Sequence, residues 1–316
     1  MSLGDIMSKN NFIYKSNDGV TNINAVKWNI DSPKAVIQIA HGVTEYIDRY
    51  DEFANYLNEK GFVVVGNDHI GHGKSISKEK GPMYFGKEGS WDYAVEDLFT
   101  LYSKTKEEYS DIPYFILGFS LGSFLVRTLL IKHPEIGDGA ILMGTGQTSW
   151  LNIKLGQMMA KSEAKKHGDN AFTEKIDDLT FGTYNKKFKP NRTKLDWLCS
   201  NEESLDKYLE DSSRGESFSA GLFRELLNGM MFDRDKENIR KMNLDLPVLF
   251  LSGDNDPVGD YGKGVRQAFN DFEKCGIKNL DIKLYPGLRH DILNEKNKEE
   301  VYSDVVEWTN KVLLKR

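Results

Sequence analysis

The chain has 316 residues, of which 39% are hydrophobic and 28% charged, with a formal net charge of −6. That length holds one large domain with an insertion or two smaller domains, and the composition excludes long disorder. The mixed charge signs exclude the basic face that nucleic acid requires, and no apolar run approaches the ~18 residues of a membrane-spanning helix.

No apolar stretch near the N-terminus reads as a signal peptide, so a cytoplasmic location is expected. Met1 to Leu3 reads as a cloning remnant, with Met7 as a second start. Cys199 and Cys275 fall in different regions and read as free thiols rather than a disulfide framework.

In chain order, residues 35–40 form an apolar strand that runs into His41-Gly42-Val43-Thr44-Glu45. A helix is predicted over residues 48–60 and a strand over 62–65. Asp68-His69-Ile70-Gly71-His72-Gly73-Lys74-Ser75 follows, and Gly66, Gly71 and Gly73 around two histidines predict a tight loop near a site. His69 and His72 have no acidic or cysteine partner at helical ligand spacing, so no metal is expected. A helix over 90–109 leads to the strand Tyr114-Phe115-Ile116-Leu117, a helix from Phe124, and a strand over 139–143. Strands resume at 247–251 and 280–285. Continuous apolar strands alternating with helices predict an α/β fold, a mostly parallel sheet covered on both faces.

The strand at 114–117 ends in Gly118-Phe119-Ser120-Leu121-Gly122-Ser123. Strand, turn with a serine at its apex, then helix is the context of a nucleophile elbow. A serine hydroxyl needs a base to take its proton, and the base needs a third group to orient it. His290 lies beyond the strand at 280–285, in Tyr285-Pro286-Gly287-Leu288-Arg289-His290, on the kind of loop that carries catalysis in open parallel sheets. His133 reads as a helix-end residue, His167 as a solvated one and His41 as a structural hydrogen-bonding residue. Two carboxylates compete for the acid in Gly253-Asp254-Asn255-Asp256-Pro257-Val258. Asp256 is preferred because the following proline holds it extended. Asp254 otherwise reads as a turn residue bonding its own backbone. The oxyanion donors are expected to be the amides of Leu121, directly after the serine, and Val43, on the loop after an earlier strand.

Residues 144–244 carry no strong strand pattern. They are expected to form a helical cap inserted into a core of residues 1–143 and 245–316. Two apolar stripes mark the cap: Leu151, Leu155, Met158 and Met159, then Leu222, Phe223, Leu226, Leu227, Met230 and Met231. Their ordinary role is to pack the cap on the core. The alternative is an acyl-chain channel at Leu155, Met159, Leu226 and Met230, where methionine suits a flexible ligand. Residues 185–197 are basic and polar and read as a solvated face, with a docking patch for anionic headgroups as the alternative.

With these motifs, and Arg49-Tyr50 after the Glu45 turn, the chain resembles the α/β-hydrolase superfamily, in particular its monoacylglycerol lipase and lysophospholipase group. The resemblance spans about residues 12 to 314. It implies the triad Ser120, Asp256 and His290, with Val43 and Leu121 as oxyanion donors. It implies no cofactor. Leu121 departs from the methionine common in the animal lipases, which bears on the acyl pocket and not on the backbone donor. The expected activity is hydrolysis of a single-acyl-chain ester such as monoacylglycerol or lysophospholipid, with transient membrane-surface contact through the cap. Thioesterase or peptidase chemistry on the same triad is the alternative, and an inert binding protein on this fold is the second. Oligomeric state is left open.

Overall fold

The computed structural model describes residues 8–316, so the readings at Met1 to Leu3 and Met7 lie outside the described residues. The chain opens with two strands, β1 (Ser8–Lys15) and β2 (Asn22–Asn29). Then come β3 (Ala35–Ala40), α1 (Asp51–Glu59), β4 (Phe62–Asn67) and α2 (Trp91–Glu108). The elbow region holds β5 (Tyr114–Phe119), α3 (Leu121–Lys132) and β6 (Gly139–Met143). Helices alone follow: α4 (Trp150–His167), α5 (Glu174–Thr180), α6 (Glu202–Glu210), α7 (Ala220–Asp233) and α8 (Lys236–Ile239). The chain closes with β7 (Val248–Gly253), α9 (Lys263–Lys274), β8 (Leu280–Tyr285) and α10 (Lys298–Leu313).

The strands form one 8-stranded sheet in the order β1-β2-β4-β3-β5-β6-β7-β8. β1, β2 and β4 pair antiparallel, and every pair from β4 through β8 is parallel. This is the α/β-hydrolase fold with an inserted helical cap. The central strands β3, β4, β5, β6 and β7 are buried along their whole length. Their alternate side chains feed two cores. Ile116 and Val36 enter the one against α2 and α3, while Phe115, Leu117 and Ile37 enter the one against α1 and α10.

Register places the site. Ala40 pairs with Gly118, Phe119 with Met143, Met143 with Leu251, and Gly253 with Tyr285. The loops carrying Val43, Ser120, Asp256 and His290 therefore leave the sheet side by side at one edge.

The cap is fastened through α7. Glu225 is fully buried and accepts the Gly89 and Trp91 amides, each at 3.0 Å, at the N-terminus of α2. A methyl on Gly229 would overlap the Trp91 ring. Leu222 and Leu227 are buried, and Leu226 and Met230 pack partly buried against the same core. The stripe on α4 behaves differently from its expected packing. Leu151, Leu155 and Met158 are exposed, and the helix packs through Ile153, Gly156 and Ala160. Small residues decide this, because a methyl on Gly156 would crowd Leu227 Cδ1 at 2.8 Å. Gly66 also departs from its expected loop position. It lies within β4, where Ile47 occupies the space a side chain would need. Among the described residues, no helix is long and apolar enough to cross a membrane.

Candidate active site

Ser120 stands at the junction of β5 and α3 with φ 50° and ψ −118°, a conformation that costs a non-glycine residue strain. Its neighbours enforce it. A methyl on Gly122 would overlap the Ala40 carbonyl, and one on Gly118 would meet the Gly122 carbonyl oxygen at 2.5 Å. The Ser120 amide donates to the Met143 carbonyl at 2.9 Å, which ties the turn to β6. The side chain is half-buried.

Of the two competing carboxylates, Asp256 reaches the histidine. His290 Nδ1 and Asp256 Oδ2 are 2.8 Å apart, with Asp256 fully buried and His290 2% exposed. Asp256 is held by the Ser252 hydroxyl at 3.2 Å on Oδ2 and the Val258 amide at 2.8 Å on Oδ1. Asp254 is exposed, and its Oδ1 accepts the Gly287 amide at 2.7 Å. It thus braces the neighbouring loop, where the sequence suggested a bond to its own backbone. His290 packs on Phe119, next to the serine, with ring centroids 4.9 Å apart. A methyl on Gly144 would come within 3.0 Å of His290 Cε1, so the chain after β6 must be bare there.

The Leu121 amide opens α3, where a helix has no internal acceptor for it. Among the described residues no acceptor meets this amide or that of Val43. Both are free to serve an incoming oxyanion. The Val43 loop is shaped by Glu45, whose Oε1 accepts the Gly42 amide and the Tyr50 hydroxyl, the latter at 2.7 Å. Glu45 Oε2 accepts from Arg49 at 2.7 Å, and Arg49 reaches Asp291 on the histidine loop at 3.5 Å.

Three buried histidines support the same loop from beneath. The His41 and His69 rings pack at a tilt with centroids 4.0 Å apart, and His72 lies 5.4 Å from His41. The His69 amide donates to His41 Nε2 at 3.0 Å, so His41 carries its proton on Nδ1, toward the Gly42 carbonyl. Burial holds all three below the usual imidazole range, His69 down to about 3 and His72 to about 4. They are neutral spacers. Among the described residues no cluster could hold a metal ion.

Of the candidate pocket residues, Met159, Leu226 and Met230 are partly buried, and Leu155 is turned outward at 47% exposed. The sequence reading missed Trp197. It closes a segment whose lysines point to solvent, yet it is 5% exposed and its ring lies 5.5 Å from that of His290. Its buried neighbours Leu198, Leu205 and Tyr208 were the available signal, an apolar set at the end of a basic stretch.

The sequence model of the family described as serine aminopeptidase, S33, matches residues 31–297. A monoglyceride lipase homolog of Monkeypox virus is 27% identical over 287 residues, covering 88% of this chain and 90% of its own. The monoglyceride lipase of Mus musculus is 25% identical over 285 residues, covering 89% of this chain and 80% of its own. Among solved structures, a highly thermostable carboxyl esterase from Bacillus coagulans in complex with glycerol matches with a TM-score of 0.89 at 27% identity. The match covers 98% of this chain and 100% of that one.

The neutral histidines carry a pH signature. The unfolded chain takes up protons near the ordinary imidazole value of 6.5, whereas folded His72 resists protonation down to about 4. This contribution to stability is complete above that ordinary value and is lost as pH falls toward the folded one. His72→Asn keeps a donor for the Ile70 carbonyl and does not titrate. The variant should lose less stability than the parent between about pH 7 and about pH 5, measured by urea unfolding. Parallel pH profiles would contradict the burial of a neutral His72.

Proposed function

Because the chain belongs to the serine aminopeptidase S33 family of α/β-hydrolases, we propose that it cleaves carboxylic esters of single-chain acyl lipids, monoacylglycerol or lysophospholipid, through an acyl-enzyme. The observation that carries this reading is the buried Asp256–His290 pair, 2.8 Å apart, beside a serine held in the strained elbow conformation. Ser120 Oγ attacks the ester carbonyl while His290 takes its proton. The Val43 and Leu121 amides receive the tetrahedral oxyanion. His290 protonates the leaving alcohol, and water then cleaves the acyl-serine by the same steps. Asp256 holds the tautomer and stabilises the imidazolium. The acyl chain runs along α7 at Leu226 and Met230, with Met159 across from them.

The relatives named for glyceride lipase activity support an ester substrate. The description of the family as serine aminopeptidases favours peptide cleavage as a second reading, since the same triad attacks an amide. A panel of matched ester, thioester and aminoacyl amide substrates separates them, and faster turnover of the amide would overturn the ester assignment.

The outer side of α4 supports contact with a lipid surface. Trp150, Leu151, Leu155 and Met158 stand 53%, 58%, 47% and 67% exposed. Lys154 lies beside Trp150, its ammonium 6.0 Å from the ring centroid. A contiguous apolar face rimmed by lysine suits an interface between water and lipid.

Ser120→Ala should fold and lose about 10⁴-fold or more in ester turnover. Near-parental activity of a clean preparation would remove the mechanism. Asp256→Asn should cost about 10⁴-fold in kcat because the amide cannot fix the imidazole tautomer. Asp254→Asn keeps an oxygen for the Gly287 amide and should stay within about tenfold. The reverse ranking would move the acid to Asp254. Replacing Leu151 and Met158 together by serine should weaken sedimentation with phosphatidylcholine vesicles and leave hydrolysis of a soluble short-chain ester intact. Unchanged vesicle binding would assign that face no part in lipid contact.

A further inference from the structure

The histidine loop does not stand on the core alone. The cap segment 196–200 runs beside it and is bonded to residues on both sides of His290. The Asp291 amide donates to the Leu198 carbonyl at 2.7 Å. The Arg289 guanidinium donates to the carbonyls of Asp196 and Cys199, the latter at 3.2 Å, and stacks on Phe188 with its centre 4.3 Å from the ring centroid. The Trp197 ring lies over the imidazole. One carboxylate joins the two segments. Glu295, 1% exposed, accepts the Arg289 amide at 2.9 Å and the Ser200 amide at 3.0 Å on Oε1, and its Oε2 accepts the Ser200 hydroxyl.

We propose that Glu295 is a positioning residue for the catalytic base, the staple through which cap residues 196–200 fix the loop that carries His290. The inference rests on the reading of His290 as general base. No ion-pair partner lies within reach of Glu295 among the described residues, so its burial is offset by these hydrogen bonds alone. Take the acceptor away and two partly buried amides, one beside His290 and one in the cap, lose their partner. The backbone on the N-terminal side of His290 is then held less firmly against Asp256: the Arg289 side chain and the Asp291 amide still reach the cap, but the main-chain bond directly before His290 is gone, and Asp256 is held separately by Ser252 and Val258. Displacements of this kind act on the chemical step and leave ground-state binding alone.

The test compares Glu295→Met, Glu295→Gln and Ser200→Ala on a p-nitrophenyl ester, with melting temperature measured in parallel. Glu295→Met should lower kcat by about 10- to 100-fold with KM within about threefold. Glu295→Gln should return kcat to within about threefold of the parent, because its amide oxygen accepts both backbone N–H groups and its NH2 meets the Ser200 hydroxyl, which can accept. A folded Glu295→Met with parental kcat overturns the proposal, as does a loss that the glutamine fails to restore. If Glu295→Met does not fold, Ser200→Ala decides: it should lower kcat about two- to fivefold at an unchanged melting temperature, and parental kcat overturns the staple. Activity in Ser120→Ala would overturn the hydrolytic reading beneath it. An inactive Ser120→Ala with an undisturbed Glu295→Met would overturn the staple alone.

Discussion

The contact between Gly122 and the Ala40 carbonyl governs the rest of the site. A side chain there would overlap the end of β3, so the first turn of α3 can press directly against that strand. This closeness has two results. It forces Ser120 into a positive-φ turn that lifts the hydroxyl clear of the sheet. It also brings the Leu121 amide next to the loop leaving β3, where Val43 lies. Ala40 pairs in register with Gly118, so Ser120 and the Val43 loop stay aligned as long as the sheet does. The strain at Ser120 is held by strand pairing, helix packing and the Ser120–Met143 bond together, which is how a conformation costing on the order of 1–3 kcal/mol persists.

Around that fixed point the polar residues divide into those that carry charge and those kept neutral. Burial keeps His41, His69 and His72 neutral, which lets three imidazoles cluster next to the Val43 loop without mutual repulsion. Arg49 sits between Glu45 and Asp291, so the oxyanion loop and the histidine loop share one guanidinium. Buried pairs of this sort offset desolvation poorly, and their value lies in geometry more than in net stability. Here they fix the distance between two loops that belong to strands far apart in the chain.

The strand interiors were legible because a run such as Val63-Val64-Val65 leaves no polar face, and only a sheet covered on both sides accommodates it. The elbow was legible because glycine and serine spacing there is set by local sterics. β1 and β2 were not read, since residues such as Asn10, Asn11 and Asn24 dilute their alternation and their pairing depends on β4. The α4 face was misread for a related reason. Hydrophobicity points to Leu155 and Met158, whereas close helix contact selects the small residues Gly156 and Ala160. Trp197 escaped notice because the charges of Lys186, Lys187, Lys189 and Lys194 dominate its neighbourhood; Phe181, Tyr184 and the Leu198–Tyr208 cluster bury it locally, while its approach to His290 is a contact that local sequence does not reveal. The choice between Asp254 and Asp256 needed the turn after β7, where the Val258 amide and the Ser252 hydroxyl aim one carboxylate at the imidazole.

The cap is bonded to the core at both of its roots. Arg127 of α3 is buried and donates to the Gly146 carbonyl at 2.9 Å, Gln147 Oε1 at 3.0 Å and the Asp233 carbonyl at 3.2 Å. These groups are the entry to the cap and the end of α7, so both roots are bound to the helix that begins at the nucleophile. Thr128 adds a bond to Asp233 at 2.7 Å, and burial raises that carboxyl to about 7 even with Arg127 drawing it down. Residues 196–200 are bound to the histidine loop and α7 to α2. The remaining helices α4 and α5 are tied to α7 in turn: Gly156 lies against Leu227, Gln157 donates to Asn228 Oδ1 at 2.8 Å, and Arg224 pairs with Asp169 in the α4–α5 connection at 2.8 Å, while α4 turns its apolar side outward. The segment bonded to the histidine loop and the helix that carries the exposed apolar side are therefore different parts of one insertion.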